Sequence, residues 1–386
     1  MVHPHTMKFA FISTMTTVPW GGSETLWHGT ALNLRAQGHS VHALRRRFDP
    51  VPSPVVALVK AGIGVSYPQS GTSLLNRLVN RIAPKSLRRT RQNPAANWLE
   101  SIEPSGVFIS CGSLLDDLSG LVHLTDSTLP FAIVIHAAAP EIWPPDHAIT
   151  DAVKLLSAAR CVFFVSQHNC SDVQLCLGIT LPNADIVRCP LNLSPALRAL
   201  VAVPPLPSTD GLKLACVARL NVPAKGQDVL IRTLALEKWK SRDVSLTLYG
   251  EGPHRRALEN AARHLGVSRV TFAGQIGDIS TIWREHHLGV LASRFEGLPL
   301  SLLEAMMLGR ANVVTRVCGN PEVVEDNVTG FLAAAPTVEA FDEALERAWS
   351  RRADLGTMGI AAARSIRQLV PADPCADLAN RLVKLF

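Results

Sequence analysis

Several features are missing or scarce in this 386-residue chain, and each absence removes a class of function. No Cys-x-x-Cys occurs and no Cys/His cluster has zinc spacing, so zinc modules are excluded and no metal site is expected. The cysteines sit mostly in apolar runs such as RCVFFVS and KLACVARL, which reads as buried free thiols in a reducing compartment. No run of about 18 or more apolar residues occurs, so no membrane-spanning helix is expected. The opening MVHPHTMKFAFISTM has too short an apolar run for a signal peptide, and KFAFIST reads better as a first buried strand. The expected location is therefore cytoplasmic. Aromatics make up only 5% and are not interleaved with the basic residues, so nucleic acid is not an expected partner.

The residues present describe a globular protein. Apolar content is 47%, charged content is 18%, and the length suggests two domains. The net charge of +6 favours an anionic partner without choosing between nucleotide phosphates and lipid head groups.

Along the chain, apolar runs alternate with helical stretches. KFAFIST, HSVHAL, GVFIS (106–110), FAIVIH (131–136) and CVFFVS (161–166) read as strands. They lack strict polar alternation, as strands of a parallel sheet covered on both faces do. A second series follows: KLACVARL (213–220), VSLTLYG (244–250), RVTFAG (269–274), LGVLAS (288–293) and ANVVTR (311–316). A proline-rich stretch separates the two series. The expected organisation is an N-terminal Rossmann-like domain over 1–190, a linker over 191–211, a C-terminal Rossmann-like domain over 212–365, and a final helix over 366–386 that returns to the N-domain. Such a pair binds its ligand in the cleft at the carboxyl ends of the strands.

Four constellations carry chemistry. In FEGLPLSLLEAMMLG (295–309), Glu296 falls in the loop at a strand end and Glu304 in the first turn of the next helix. Gly297 allows close approach, and Pro299 suits the first turn. Free amides from Leu298 through Leu300 to Ser301 would face an anion with the helix dipole behind them. A competing reading makes SLLE (301–304) a capping box in which Glu304 only satisfies a backbone N–H. In VARLNVPAKG, Arg219 and Lys225 stand at strand and loop ends, where they can clamp a pyrophosphate and offset leaving-group charge. YGEGPHRR places Gly250 in a nucleotide-facing turn but has Arg255 where a dinucleotide fingerprint needs its third glycine, so a nicotinamide site is rejected. GGSE sets Gly21 and Gly22 after the first strand, with Ser23 as the expected N-cap and Glu24 in the first turn.

Taken in order, GGSE, VARL…KG, YGEGP, FAG, FEGLPLSLLEA and GNPEVVEDNVTGFL resemble the retaining "group 1" glycosyltransferases of family 4. The likeness is close over 213–348 and thin before that. It implies the α/β GT-B fold, two Rossmann-like domains facing each other across a cleft. It also implies transfer of a hexosyl group from a UDP- or GDP-sugar to a glycan or lipid-linked acceptor, in cell-surface polysaccharide or glycolipid synthesis. The resemblance gives Arg219 and Lys225 the diphosphate, Glu304 the donor ribose, Glu296 the hydroxyls of the moving sugar, and the Gly297–Leu300 loop the phosphate oxygens. Gly21 and Gly22 would lie against the donor from the opposite domain. His136 would stand near the reacting carbon and Ile276 near the base, with Ser166 and Asn192 at domain edges. Front-face displacement, with the leaving phosphate helping to deprotonate the acceptor, is the implied mechanism, and no cofactor is needed. Cys318 stands where the family often has a glycine before NPE, and Arg310, Ala311 and Asn312 replace another glycine-bearing turn. CPLNLS (189–194) is an imperfect version of the family's Pro-Asn-Gly turn.

Residues 60–99 contain no acidic residue, and 74–91 combine six basic side chains with leucine, valine and isoleucine at helical spacing. This reads as an amphipathic element suited to an anionic membrane surface, or as a helix with a solvated basic face. Two further readings of the whole chain are a nucleotide-sugar epimerase and a catalytically silent GT-B scaffold in an envelope-assembly complex. The intact Arg219, Lys225, Glu296 and Glu304 argue against silence.

Overall fold

The computed structural model describes residues 6–386 apart from 17, 69–92, 115, 117, 200–201 and 209–210. The basic stretch 74–91 therefore lies outside the described residues.

The first seven strands are β1 Lys8–Ser13, β2 Ser40–Leu44, β3 Gly64–Ser66, β4 Gly106–Cys111, β5 Phe131–Ile135, β6 Cys161–Phe164 and β7 Ala184–Ile186. They form one parallel sheet in the order β3-β2-β1-β4-β5-β6-β7. The next six, β8 Leu212–Val217, β9 Val244–Tyr249, β10 Val270–Gly274, β11 Leu288–Leu291, β12 Ala311–Thr315 and β13 Phe331–Ala333, form a second. Its order is β10-β9-β8-β11-β12-β13, again parallel throughout. Every residue of β4, β5 and β12 is buried, which is why these segments read as unbroken apolar runs. In each sheet the order reverses once, between β1 and β4 and between β8 and β11, and the loops leaving those strands open a crevice there.

Five helices matter for the site: α1 Gly22–Ala36, α2 Gln167–Leu177, α3 Leu300–Met307, α4 Leu355–Leu369 and α5 Pro374–Leu385. Helix α1 starts one residue before Ser23. Its N-cap is Gly21, with no side-chain cap bond, so Ser23 is not the cap. Glu24 instead lies buried under α1 and accepts from the Ser13 hydroxyl at 2.8 Å.

Helix α4 packs on the second sheet and runs unbroken to Leu369, so the chain leaves the C-domain later than residue 366. Helix α5 then buries Cys375, Leu378, Ala379 and Leu382 among Phe9, Phe11 and Trp27 of the first domain. A β-carbon on Gly29 of α1 would stand 2.4 Å from the Cys375 sulfur, so the two helices touch through a glycine. The chain thus crosses between the domains twice.

The outward crossing is anchored by Arg310, which is fully buried. Its guanidinium donates to the Pro204 and Pro205 carbonyls at 2.8 Å each, and to those of Trp283 at 2.5 Å and His286 at 2.9 Å. With no carboxylate beside it, burial lowers its pKa to about 10. Arg310, within the Arg310–Asn312 turn, therefore ties the linker to the C-domain, and His287 adds a bond to the Pro207 carbonyl at 3.1 Å.

Candidate active site

The loops at the two reversal points face each other across a cleft of about 570 Å³. Gly22, His136, Arg219, Lys225, Gly250, Ile276, Glu296, Gly297, Leu298, Leu300, Ser301 and Glu304 all line it. Gly21 does not. It is packed toward Met15 and Val18, behind Gly22.

The second domain brings the charge. Lys225 Nζ lies 2.6 Å from both carboxylate oxygens of Glu296, which also accepts from Ser293 Oγ at 2.7 Å. Lys225 and Glu296, read separately in the sequence, are thus one ion pair with its carboxylate buried and its ammonium half-buried. Arg219, at the end of β8, is exposed and makes no side-chain ion pair among the described residues. Its carbonyl is held by the Gln227 amide at 2.8 Å. The tight turns behind these residues need glycine. Gly226 has φ +59°, and a β-carbon there would sit 1.9 Å from the Ala292 carbonyl oxygen. Gly250 has φ +130°, with its β-carbon 2.2 Å from the Ala218 oxygen.

Helix α3 begins at Leu300 with Pro299 as N-cap and no side-chain cap bond. Ser301 lies inside the helix, so the capping-box reading of SLLE fails. The amides of Leu300 and Ser301 are among those with no carbonyl one turn back, and both residues line the cleft. Glu304, 1% exposed, accepts from Asn192 through the backbone N–H at 2.8 Å and the side-chain amide at 3.0 Å. Burial raises its pKa, and the Asn192 bonds oppose that shift. The CPLNLS turn therefore meets α3 through Asn192.

The first domain contributes uncharged groups. His136 follows β5 and is buried. Its Nε2 lies 3.3 Å from Ser110 Oγ and its Nδ1 3.7 Å from Cys189 Sγ. Burial lowers its pKa to about 4, so the ring is neutral at pH 7. Gly297 closes against the same residue: a β-carbon would lie 1.8 Å from the His136 carbonyl oxygen. Cys318 has φ +46°, a left-handed conformation that favours the family's glycine. Its sulfur accepts from the Glu296 amide at 3.3 Å and donates to the Ala138 carbonyl at 3.6 Å, so it spans the domain boundary.

Two contributions were not visible in the sequence. Glu322, inside the GNPE motif, accepts from the first amides of α2 at 3.1 and 2.7 Å, and so clasps the N-terminus of a helix in the other domain. Ser166, expected at a domain edge, caps that same helix through the Asn169 amide at 3.1 Å. Tyr249, Ile279 and Ile282 add an apolar wall beside Ile276. The strand-ending aromatic was the only signal for it. Among the described residues, no three His, Cys, Asp or Glu side chains are grouped to hold a metal ion.

Two parallel-sheet Rossmann-like domains, with carboxylates, cations and a helix N-terminus gathered at the second sheet's reversal point, define the GT-B architecture. Its likeness to solved structures is broad: Anabaena HepE in complex with UDP and glucose superposes with a TM-score of 0.72 over 98% of this chain and 100% of that one, at 18% identity. The sequence narrows the class further. Residues 211–351 match the family model described as "Glycosyl transferases group 1". A GDP-mannose-dependent alpha-(1-6)-phosphatidylinositol monomannoside mannosyltransferase of Mycolicibacterium smegmatis is 32% identical over 162 residues, 38% of this chain and 41% of that protein. A D-inositol 3-phosphate glycosyltransferase of Saccharomonospora viridis is 33% identical over 181 residues, 43% of this chain and 40% of that one. The chain spans about two fifths of the length of the curated relatives it matches. No described helix is long and apolar enough to cross a membrane.

Proposed function

We propose that this protein is a retaining family 4 glycosyltransferase that moves a hexosyl group from a UDP- or GDP-sugar to a glycan or lipid-linked acceptor. The observation that carries the reading is the Lys225–Glu296 ion pair set beside Arg219, which has no ion-pair partner among the described residues, and the N-terminus of α3. A diphosphate in this corner meets Arg219 and the first amides of α3, and it draws the Lys225 ammonium from Glu296. Glu296, so released, accepts hydrogen bonds from the sugar hydroxyls. Glu304 accepts from the ribose hydroxyls, and the wall formed by Ile276, Ile279 and Tyr249 takes the base. In the transfer, the bond from the anomeric carbon to the phosphate oxygen breaks while the acceptor oxygen bonds to that carbon on the same face. The acceptor proton passes to the leaving phosphate oxygen. The protein's share is alignment and stabilisation of the developing phosphate charge. His136, neutral beside the reacting carbon, offers a hydrogen bond without adding charge.

The names of the relatives above, which act on inositol-bearing phosphates and phosphatidylinositol mannosides, support an anionic or lipid-linked acceptor. A site on the cytoplasmic face of the membrane, reached through the basic stretch 74–91, agrees with such an acceptor and rests on the sequence pattern.

Thermal stability measured against UDP-, GDP- and ADP-sugars tests the donor reading. A donor at a hundredfold its Kd should stabilise the protein by about 2.7 kcal/mol, with the shift reduced in both Arg219→Ala and Glu304→Ala. No shift with any donor would favour the silent scaffold instead. Turnover of the donor's sugar without an acceptor, giving a new nucleotide sugar, would favour the epimerase.

A further inference from the structure

The two chain crossings enclose a second cavity of about 780 Å³, larger than the cleft and distinct from it. Three arginines line it: Arg198 on the outward crossing, and Arg364 and Arg367 on α4 just before the return. Among the described residues no carboxylate lines the cavity, and none of the three arginines forms an ion pair. The Nε atoms of Arg198 and Arg367 are buried without a hydrogen-bond partner. Among the described residues the Arg367 guanidinium makes one hydrogen bond, to the Met307 carbonyl at 3.2 Å. Beside these cations the wall is apolar: Met307, Val203 and Val370, with Ile360 exposed at 52%.

Three cations gathered in one cavity repel one another and strand buried donors unless an anion joins them. An exposed isoleucine at the rim fits the apolar body of the same molecule. We infer that this cavity is a second binding site, for a phosphate-bearing molecule whose apolar portion lies along Ile360 and Met307. The phosphate sits among Arg198, Arg364 and Arg367, each of which offers several N–H donors to its oxygens. The assignment does not depend on the donor reading, because no residue of the cleft takes part. It does place the ligand between two segments that join the domains and against the far end of α3, the helix that carries Glu304.

The shared chemistry could reach the site as a lipid phosphate or as a free phosphate, so two probes are needed: dihexanoyl phosphatidic acid below its micelle concentration, and inorganic pyrophosphate. Binding is read by calorimetry on the intact chain and on Arg219→Ala, Arg364→Glu and Arg364→Ala. Arg364 is exposed and carries no internal contact among the described residues, so its variants are expected to fold. Circular dichroism and an unchanged melting curve check this. The expected result is one site that persists in Arg219→Ala, weakens about tenfold in Arg364→Ala, and is lost in Arg364→Glu. Tighter binding of the phosphatidic acid assigns a lipid, and tighter binding of pyrophosphate assigns a soluble phosphate. No binding of either probe overturns the inference. So does binding that vanishes in Arg219→Ala and survives in Arg364→Glu, which would place the phosphate in the cleft.

Discussion

The two domains share a fold and face one cleft, but they present different chemistry to it. From the first, the cleft is lined by Gly22, Ser23, His136, Val165 and Cys189, none of which carries charge at neutral pH. From the second come Arg219, Lys225, Glu251, Glu296 and Glu304. A charged ligand can therefore be recognised by the second domain alone. The first supplies shape, a neutral imidazole and a backbone carbonyl that fits only against glycine. Recognition and closure are thus assigned to different halves of one chain.

Four measurements would break or sharpen this division. The largest effect is expected where the halves are joined. Arg310→Ala strips the donor from the Pro204, Pro205, Trp283 and His286 carbonyls, and should cost about 3–5 kcal/mol by chemical denaturation. A loss below about 1 kcal/mol would mean that the linker is held by other contacts.

Next comes the buried imidazole of the first domain. Its folded pKa of about 4 lies below the ordinary 6.5. Between these values the unfolded chain takes up a proton that the folded one refuses. Stability present above pH 6.5 should therefore fade as pH falls toward 4, by up to about 3 kcal/mol. His136→Gln should flatten that part of the profile, and parallel profiles for the two proteins would reject the assignment.

Closure is probed by Gly297→Ala, whose β-carbon cannot coexist with the His136 carbonyl in this geometry. kcat/KM should drop by about a hundredfold or more, with donor affinity changed far less. Equal losses in both would show that recognition and closure are not separable.

The smallest effect belongs to Glu304. Its raised pKa means that donor affinity should weaken on acidification at a pH above the ordinary glutamate range, because only the carboxylate accepts from two hydroxyls. Glu304→Gln should bind donor about tenfold more weakly and lose that pH dependence. A variant that kept the wild-type profile would move the titration to another group.

The contrast between the domains also governs what could be read from the sequence. The long central strands were legible because both faces are covered, so apolar residues run without interruption. The strands β3, β7 and β13, three residues each at sheet edges, were not, because three positions carry no period. On the charged side, the cleft residues were legible as motifs, since glycines, basic residues and carboxylates crowd into short loops. Their pairing was not: nothing in the spacing says that Lys225 reaches Glu296, or that Glu304 answers to Asn192 instead of its own helix. The contacts that cross between the domains were also obscure. Glu322 capping α2 and Cys318 bridging Glu296 to Ala138 depend on which two loops meet across the boundary, which is a property of the assembled domains.

The paired crossings have a mechanical consequence. One connecting strand would act as a ball joint, leaving either lobe free to swivel about the chain as well as to bend away. Two segments flanking one cavity, one running through Val203 and the other returning through Val370 and Pro371, act as the two leaves of a door hinge. They permit opening about the line between them and resist torsion across it. Each time such a door shuts, the same atoms come face to face, so the carbonyl of His136 meets the bare α-carbon of Gly297 in one register.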